Sequence, residues 1–402
     1  MALISLQEPP GPPPSRWRTA FALAFRPFFL AAGFAGCALI WGWVAFHSAS
    51  MPGLGSGYYD AVGWHGHEMV FGFVGAVLAG FLLTAARNWT GGPTLRGLAL
   101  GGLFLLWLGG RLLPLCPTTP PWVLVAVDVA FLPLAALALA TPLLRARHYK
   151  SLLFVALLLL LAVANGALHL EYLGFRERSA LPALRLGVTI EILLITIMGG
   201  RVIPFFTEKA LPGTRPARSW SAVERLSAPS LLLVALGEVV APQALWTAAA
   251  ALGAAAVHGV RLTGWYQGGI WRVPLLWVLH LGYGWLVLGL LLRALAWAEW
   301  LSVSLAMHAL TAGALGAVTL GMMARVSLGH TGRTLRLPRG VASGFVAVVI
   351  AAVLRVPVAW AVPEHYPLWV TLSGALWGGA FLLFFLAYWP ILTRPRPDGR
   401  PE

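Results

Sequence analysis

The chain alternates long apolar runs with short polar breaks. Twelve runs can be counted, centred near Phe34, Phe73, Leu105, Leu132, Ala162, Ile192, Val234, Gly253, Tyr283, Leu315, Val349 and Leu376. Stretches such as LLFVALLLLLAVANGAL (residues 152–168) approach the roughly 20 residues that cover the hydrocarbon of a bilayer. Long uninterrupted runs, in place of alternating ten-residue segments, predict helices and argue against an outer-membrane barrel. The expected fold is therefore all-α: a polytopic transmembrane helix bundle of about twelve spans. Residues 1–18, with the segment PPGPPPSRWR, read as a disordered proline-rich tail, residues 19–394 as one membrane domain, and residues 395–402 as a cytoplasmic tail. The run over residues 21–46 is too long for a signal-peptide core and is read as a retained first helix. The polar break at residues 204–230 divides the spans six and six, as in many transporters. No convincing sequence match joins those halves.

Composition leaves no room for a soluble domain. Of 402 residues, 59% are apolar and 10% charged, against roughly a quarter charged in an ordinary soluble protein. The net charge of +14 does not mark a nucleic-acid partner, because the cations lie in loops. Arg16 and Arg18 precede the first run, Arg145, Arg147 and Lys150 follow the fourth, and Arg394, Arg396 and Arg400 follow the last. Under the positive-inside rule this spacing puts both termini in the cytoplasm, with the lipid bilayer as the surrounding partner. Cys37 and Cys116 fall in a span and an external loop, so no disulfide is expected between them.

Polar groups inside a membrane are costly enough to be functional candidates, so their depth is informative. On a rise of about 1.5 Å per residue, His65 and His67 of the stretch WHGHEM lie roughly 9 to 12 Å outside the midplane of the second span. His308 in the tenth span and His169 in the fifth reach about the same level. His258 in the eighth span and His280 in the ninth fall roughly 6 to 8 Å on the inner side. Two facing imidazoles at equal depth suit axial ligation of a haem iron. Two metal layers, roughly 15 Å apart, are the expectation.

Helix geometry limits the opening stretch. Residues two apart point about 200° away from each other, so His65 and His67 cannot share one ion from an ideal helix. One role is then a ligand and the other a hydrogen-bonding partner that orients a ligand. Glu191, near the middle of the sixth span, is expected to be protonated, paired or part of a proton path. His169, beside Asn165 and Glu171, is open to a structural reading, and His330 to a loop role on lipid phosphate. His47, His148 and His365 lie near span ends and read as surface or structural residues. Arg201, Arg261 and Arg325 at inner span ends, and Arg111 and Arg293 at outer ones, either hold propionates or snorkel to the interface.

Four segments resemble the NnrS family: FRPFF (25–29), WHGHEMVFGFVGAVLAGFLLTAARNWTG (64–91), LHLGYGWL (279–286) and MHALTAGALGAVTLGMMARVSLGHTGR (307–333). The resemblance covers essentially all the spans. It implies a bacterial inner-membrane protein containing haem and copper, associated with denitrification and resistance to nitric oxide. Joined to the depth groups, it suggests a low-spin haem b on His258 and His280 and a reactive haem–copper centre on His65, His67 and His308, with His169 or His330 completing the ligands. One or two b haems and copper are thus the expected cofactors, with Arg201 and Arg325 near a haem. The leading expectation is an enzyme that reduces nitric oxide to nitrous oxide, with electrons from a quinol or protein donor and protons through Glu191 or Glu68. The alternative is a non-catalytic haem-based nitric oxide binder or sensor, or a transporter of a nitrosylated species.

Overall fold

The computed structural model describes residues 15–47 and 57–400. Most of the expected proline-rich tail lies outside the described residues, but its last part forms a single helical turn, Arg16–Ala20, capped by the Ser15 hydroxyl. Twelve long helices follow: α1 (Phe25–His47), α2 (Ala61–Thr90), α3 (Gly97–Leu115), α4 (Pro121–Arg145), α5 (Tyr149–Tyr172), α6 (Ala180–Ala210), α7 (Ser221–Val240), α8 (Leu245–Trp265), α9 (Pro274–Trp297), α10 (Val303–His330), α11 (Val341–Ala361) and α12 (Pro363–Leu392). No strand occurs among the described residues. Eleven of the helices are long and apolar enough to cross a membrane. The exception, α7, carries Glu224, Arg225 and Glu238, yet it packs between α6 and α8 like its neighbours.

Local sequence sets the helix ends. Proline opens α4 and α9, where its missing N–H leaves no bond unmade. Gly91 closes α2 at φ +66°, and its N–H bonds the Arg87 carbonyl. Apolar side chains also cover much of the outer surface, including Leu105, Leu137, Val163 and Leu236. Lipid is the solvent that suits such a surface.

The pairing of helices repeats at intervals of four. The second helix of each group packs on its first and its fourth: α2 on α1 and α4, α6 on α5 and α8, α10 on α9 and α12. The fourth helix of each group then meets the first of the next, α4 on α5, α8 on α9 and α12 on α1, which closes the bundle. The second helices lie at the centre. In its most apolar stretch α2 is 78% buried, whereas the peripheral α3 is 33% buried.

Two of these central helices share a sequence and a distortion. His67 in α2 and His308 in α10 each begin the pattern His-x4-Gly-x2-Gly-Ala-Val-x2-Gly. Each is followed at once by seven residues of π-helix, Glu68–Val74 and Ala309–Leu315. A π segment inserts residues into the helical turn and frees carbonyls, and it is common at functional sites. Here tryptophans of other helices donate to the carbonyls of these segments. Trp107 Nε1 bonds Gly72 O at 2.9 Å and Trp377 Nε1 bonds Ala312 O at 3.3 Å.

The start of α1 and the end of α12 lie at the same end of the bundle. Arg26, fully buried at the start of α1, donates through Nη1 to Leu392 O at 2.8 Å and Arg394 O at 3.1 Å. These carbonyls at the end of α12 have no intrahelical donor. Arg26→Leu should therefore loosen α1 from α12 and lower stability by about 1.5–3 kcal/mol, the value of a hydrogen bond to a charged group. Thermal unfolding of the detergent-solubilised variant measures it, and an unchanged midpoint would refute the tie.

Candidate metal centre and the adjoining cavity

The start of α2 lies at the end of the bundle away from the start of α1 and the end of α12. Asp60 caps it, accepting from Gly63 N at 2.7 Å, while the Tyr172 hydroxyl of α5 bonds the other Asp60 oxygen at 2.9 Å. From this anchored turn the two histidines of WHGHEM diverge to opposite faces. His65 stacks on Trp43 of α1, with ring centroids 4.5 Å apart. His67 turns toward α4 and α5 and is fully buried.

His67 joins a cluster centred on Asp128 of α4. Its Nε2 lies 2.9 Å from Asp128 Oδ2, and His169 Nε2 of α5 lies 3.2 Å from the same oxygen. Asn165 Nδ2 donates to that oxygen at 2.7 Å. Arg111 of α3 pairs with Asp128 Oδ1 and donates to Glu68 Oε2 at 3.1 Å. Ligand atoms of His67, Asp128 and His169 all lie within 4.8 Å of one another. Two imidazole nitrogens and a carboxylate oxygen form a donor set suited to copper, iron or zinc.

The outer nitrogen of each imidazole is also held. His67 Nδ1 meets Glu68 Oε1 at 3.2 Å, and His169 Nδ1 meets the Tyr58 hydroxyl at 2.9 Å. Metal-bound histidines are oriented in this way, by a carboxylate or hydroxyl on the second ring nitrogen. Burial, and then the Asp128 charge, push the Tyr58 hydroxyl above its ordinary pKa, so it remains un-ionised. Two carboxylates face one guanidinium in the cluster, so a cation or an imidazolium proton is needed to balance it. Two glycines make the space. A Cβ at Gly110 would stand 2.6 Å from Asp128 Oδ1, and one at Gly72 would collide with Arg111.

His65 and His308 face a separate cavity of about 360 Å³ between α2, α6 and α10, walled also by α1, α11 and α12. His308 Nδ1 donates to Ser304 O at 2.7 Å, which leaves Nε2 as the acceptor for Arg355 Nη2 at 3.3 Å. His65 Nδ1 is buried without a partner. Glu191 lines the same cavity, 1% exposed, and neither carboxyl oxygen has a partner. Of the three states expected for Glu191, pairing is therefore not what the structure holds.

The expected common centre on His65, His67 and His308 is divided, because the first two point to opposite sides of α2. His169 joins His67. His330 does not complete this set: it lies 22 residues beyond His308 on α10, roughly 33 Å by helical rise, against Phe25 at the start of α1. Arg325 is buried over the Phe206 ring, 3.7 Å from its centroid, and Arg201 is exposed.

The pairing of His258 with His280 on one haem does not fit this arrangement. Both His258 nitrogens are engaged, Nδ1 with the Tyr283 hydroxyl at 2.7 Å and Nε2 with Ser227 O at 3.2 Å. The chain continues through Arg261, which bonds Tyr283 at 3.1 Å and pairs with Glu224. His280 Nδ1 meets Leu276 O at 3.0 Å, and its Nε2 has no partner. At equal depth the two rings take different partners, since depth leaves the direction around each helix undetermined.

Sequence reasoning missed Asp128, although it is the lone carboxylate in the apolar run VAVDVAF (residues 125–131). Arg355, inside an apolar eleventh span, carried the same signal. Fold and site together define a polytopic helical membrane protein with a buried His/Asp/His cluster that could hold a metal ion. The chain belongs to the NnrS family, whose description, NnrS protein, matches residues 19–396. No curated protein matches it. Family and bundle fit a nitric-oxide-related membrane protein.

Removing Asp128 leaves Arg111 buried beside Glu68 alone. Asp128→Ala should cost about 3–5 kcal/mol of stability, as breaking buried charge pairs does, and Asp128→Leu combined with Arg111→Met should recover most of it. Denaturant unfolding of the two variants distinguishes them, and equal losses would contradict a charge-pair origin.

Proposed function

We propose that the protein resides in the bacterial inner membrane with its termini in the cytoplasm and reduces nitric oxide to nitrous oxide at a metal held by His67, His169 and Asp128. Two nitric oxide molecules, two electrons and two protons give one nitrous oxide and one water. The observation that carries the reading is the convergence of two imidazole nitrogens and a carboxylate oxygen whose outer partners are already in place. A copper ion bound there would supply a coordination position for the gas.

The protein's own groups have distinct tasks. His67 and His169 offer Nε2 once those nitrogens are deprotonated, so binding of a cation releases protons. The Tyr58 hydroxyl, a donor or an acceptor as needed, can then accept from His169 Nδ1. Glu68 has both oxygens engaged, by His67 and Arg111, and so orients His67 instead of carrying a proton. Glu191, with no partner on either oxygen, is the group free to take up and release one. The reductant is a quinol or a protein.

Glu68→Gln and Tyr58→Phe should each lower metal affinity by about 10–100-fold, the usual effect of losing a group that orients a metal-bound histidine. Metal analysis of the purified protein under competition with a chelator measures this. Asp128→Asn should abolish both the bound metal and nitrous oxide formation, followed by gas chromatography with a chemical reductant. Wild-type protein that binds nitric oxide without forming nitrous oxide would sink the catalytic reading and leave a binder.

A further inference from the structure

We infer that the cavity beside His65 is the binding site for the headgroup of a membrane quinol, held between His65 on one side and Glu191 on the other. The volume, about 360 Å³, lies within the range of small-molecule sites. Its walls are largely apolar and aromatic, with Trp43, Phe73 and Trp377. Three polar side chains in it hold buried atoms without a partner, Nη1 of Arg355 and, as a pair on α2 and α6, His65 Nδ1 and both oxygens of Glu191. Buried polar atoms without partners are rare and costly, so a pair facing one apolar space marks what the space is built to receive.

The two groups sit at different depths. The contacts Gly66 with Leu184 and Gly187 with Val70 and Phe71 fix the register of α2 against α6. That register puts Glu191 beside residue 74, nine residues and roughly 13 Å along the axis from His65. The ligand called for is therefore an apolar, flat molecule with polar oxygens on two opposite edges. A hydroquinone ring has that pattern, and lipid is where such molecules are dissolved.

Chemistry supports the same assignment. Oxidation of a quinol breaks two O–H bonds and yields the dione, two protons and two electrons. Both protons and both electrons are those that the reduction of nitric oxide consumes. The fate of the electrons rests on the proposed reduction of nitric oxide: one quinol and two nitric oxide molecules give one quinone, one nitrous oxide and one water, with no atom or electron left over. The delivery distance is short, since His65 in the cavity and His67 in the metal cluster are separated by a single residue of α2.

The test uses full-length protein in lipid nanodiscs, titrated with decylubiquinone and followed by quenching of tryptophan fluorescence. Saturable quenching is expected for the wild type, weakened about tenfold or more in His65→Ala and Glu191→Gln, as loss of one buried hydrogen bond predicts. Met307→Trp, which fills the cavity without altering either polar group, should remove binding and keeps the test open if Glu191→Gln fails to fold. Asp128→Asn should bind the quinone as the wild type does while forming no nitrous oxide, which separates this inference from the metal reading. Unchanged quenching in all three cavity variants would overturn the inference. So would a haem absorption band in the wild type that shifts in His65→Ala without any quinone binding, since the cavity would then hold a tetrapyrrole.

Discussion

A single buried carboxylate organises the end of the bundle where α2 begins. Taking a charge out of water costs several kcal/mol, and only well-placed partners offset it. Asp128 obtains them from three other helices: His67 from α2, Arg111 from α3, and Asn165 and His169 from α5. Removing any of these donors leaves the remaining charges less compensated, so the four helices are held in one arrangement. The glycines at 72 and 110 follow from the same requirement, since a methyl group at either would occupy the place of Arg111 or Asp128. Burial energy alone would let these helices slide past one another. The carboxylate specifies their register.

That register lets one helix serve two sites. His65 and His67 point to opposite faces because α2 is regular there, and the π segment that begins at Glu68 then redirects the rest of the helix. The same device follows His308 in α10. In both helices a tryptophan from elsewhere takes up a carbonyl of the π segment, so each distortion is supported by packing. Irregular backbone at membrane depth is tolerated only where such partners exist. The shared pattern in α2 and α10 agrees with helix pairing that recurs every four helices.

Much of this was legible beforehand, and the failures have physical reasons. Hydrophobic runs located all twelve helices, including α7, whose charges keep it from qualifying as a span on composition alone. Helical spacing separated His65 from His67 before any coordinates. Depth grouped His65, His67, His169 and His308 in one layer; the structure brings His67 and His169 to one carboxylate and leaves His65 and His308 on a separate cavity. It grouped His258 with His280 equally well, and there the rings take different partners, because rise along an axis carries no information about azimuth. Asp128 is visible in the sequence as the lone carboxylate of an apolar run, a signal independent of histidine depth. The repeat was missed because dividing the chain into six-helix halves sets α2 against α8, whereas its counterpart is α10.

Some buried polar groups are tied into networks, and the unpartnered ones that also line a cavity point to where a ligand enters. Glu224, Arg261, Tyr283, His258 and Ser227 form a connected chain in which each group has a partner. Arg293 pairs with Glu238, which also accepts from Thr189. Such groups tie α6, α7, α8 and α9 together and have little left to offer a substrate. His65 Nδ1 and Glu191 have no partner at all, and they line an open volume. Unlike the paired groups of α6 to α9, these two face the cavity, where an incoming ligand would recover the free energy that their burial costs.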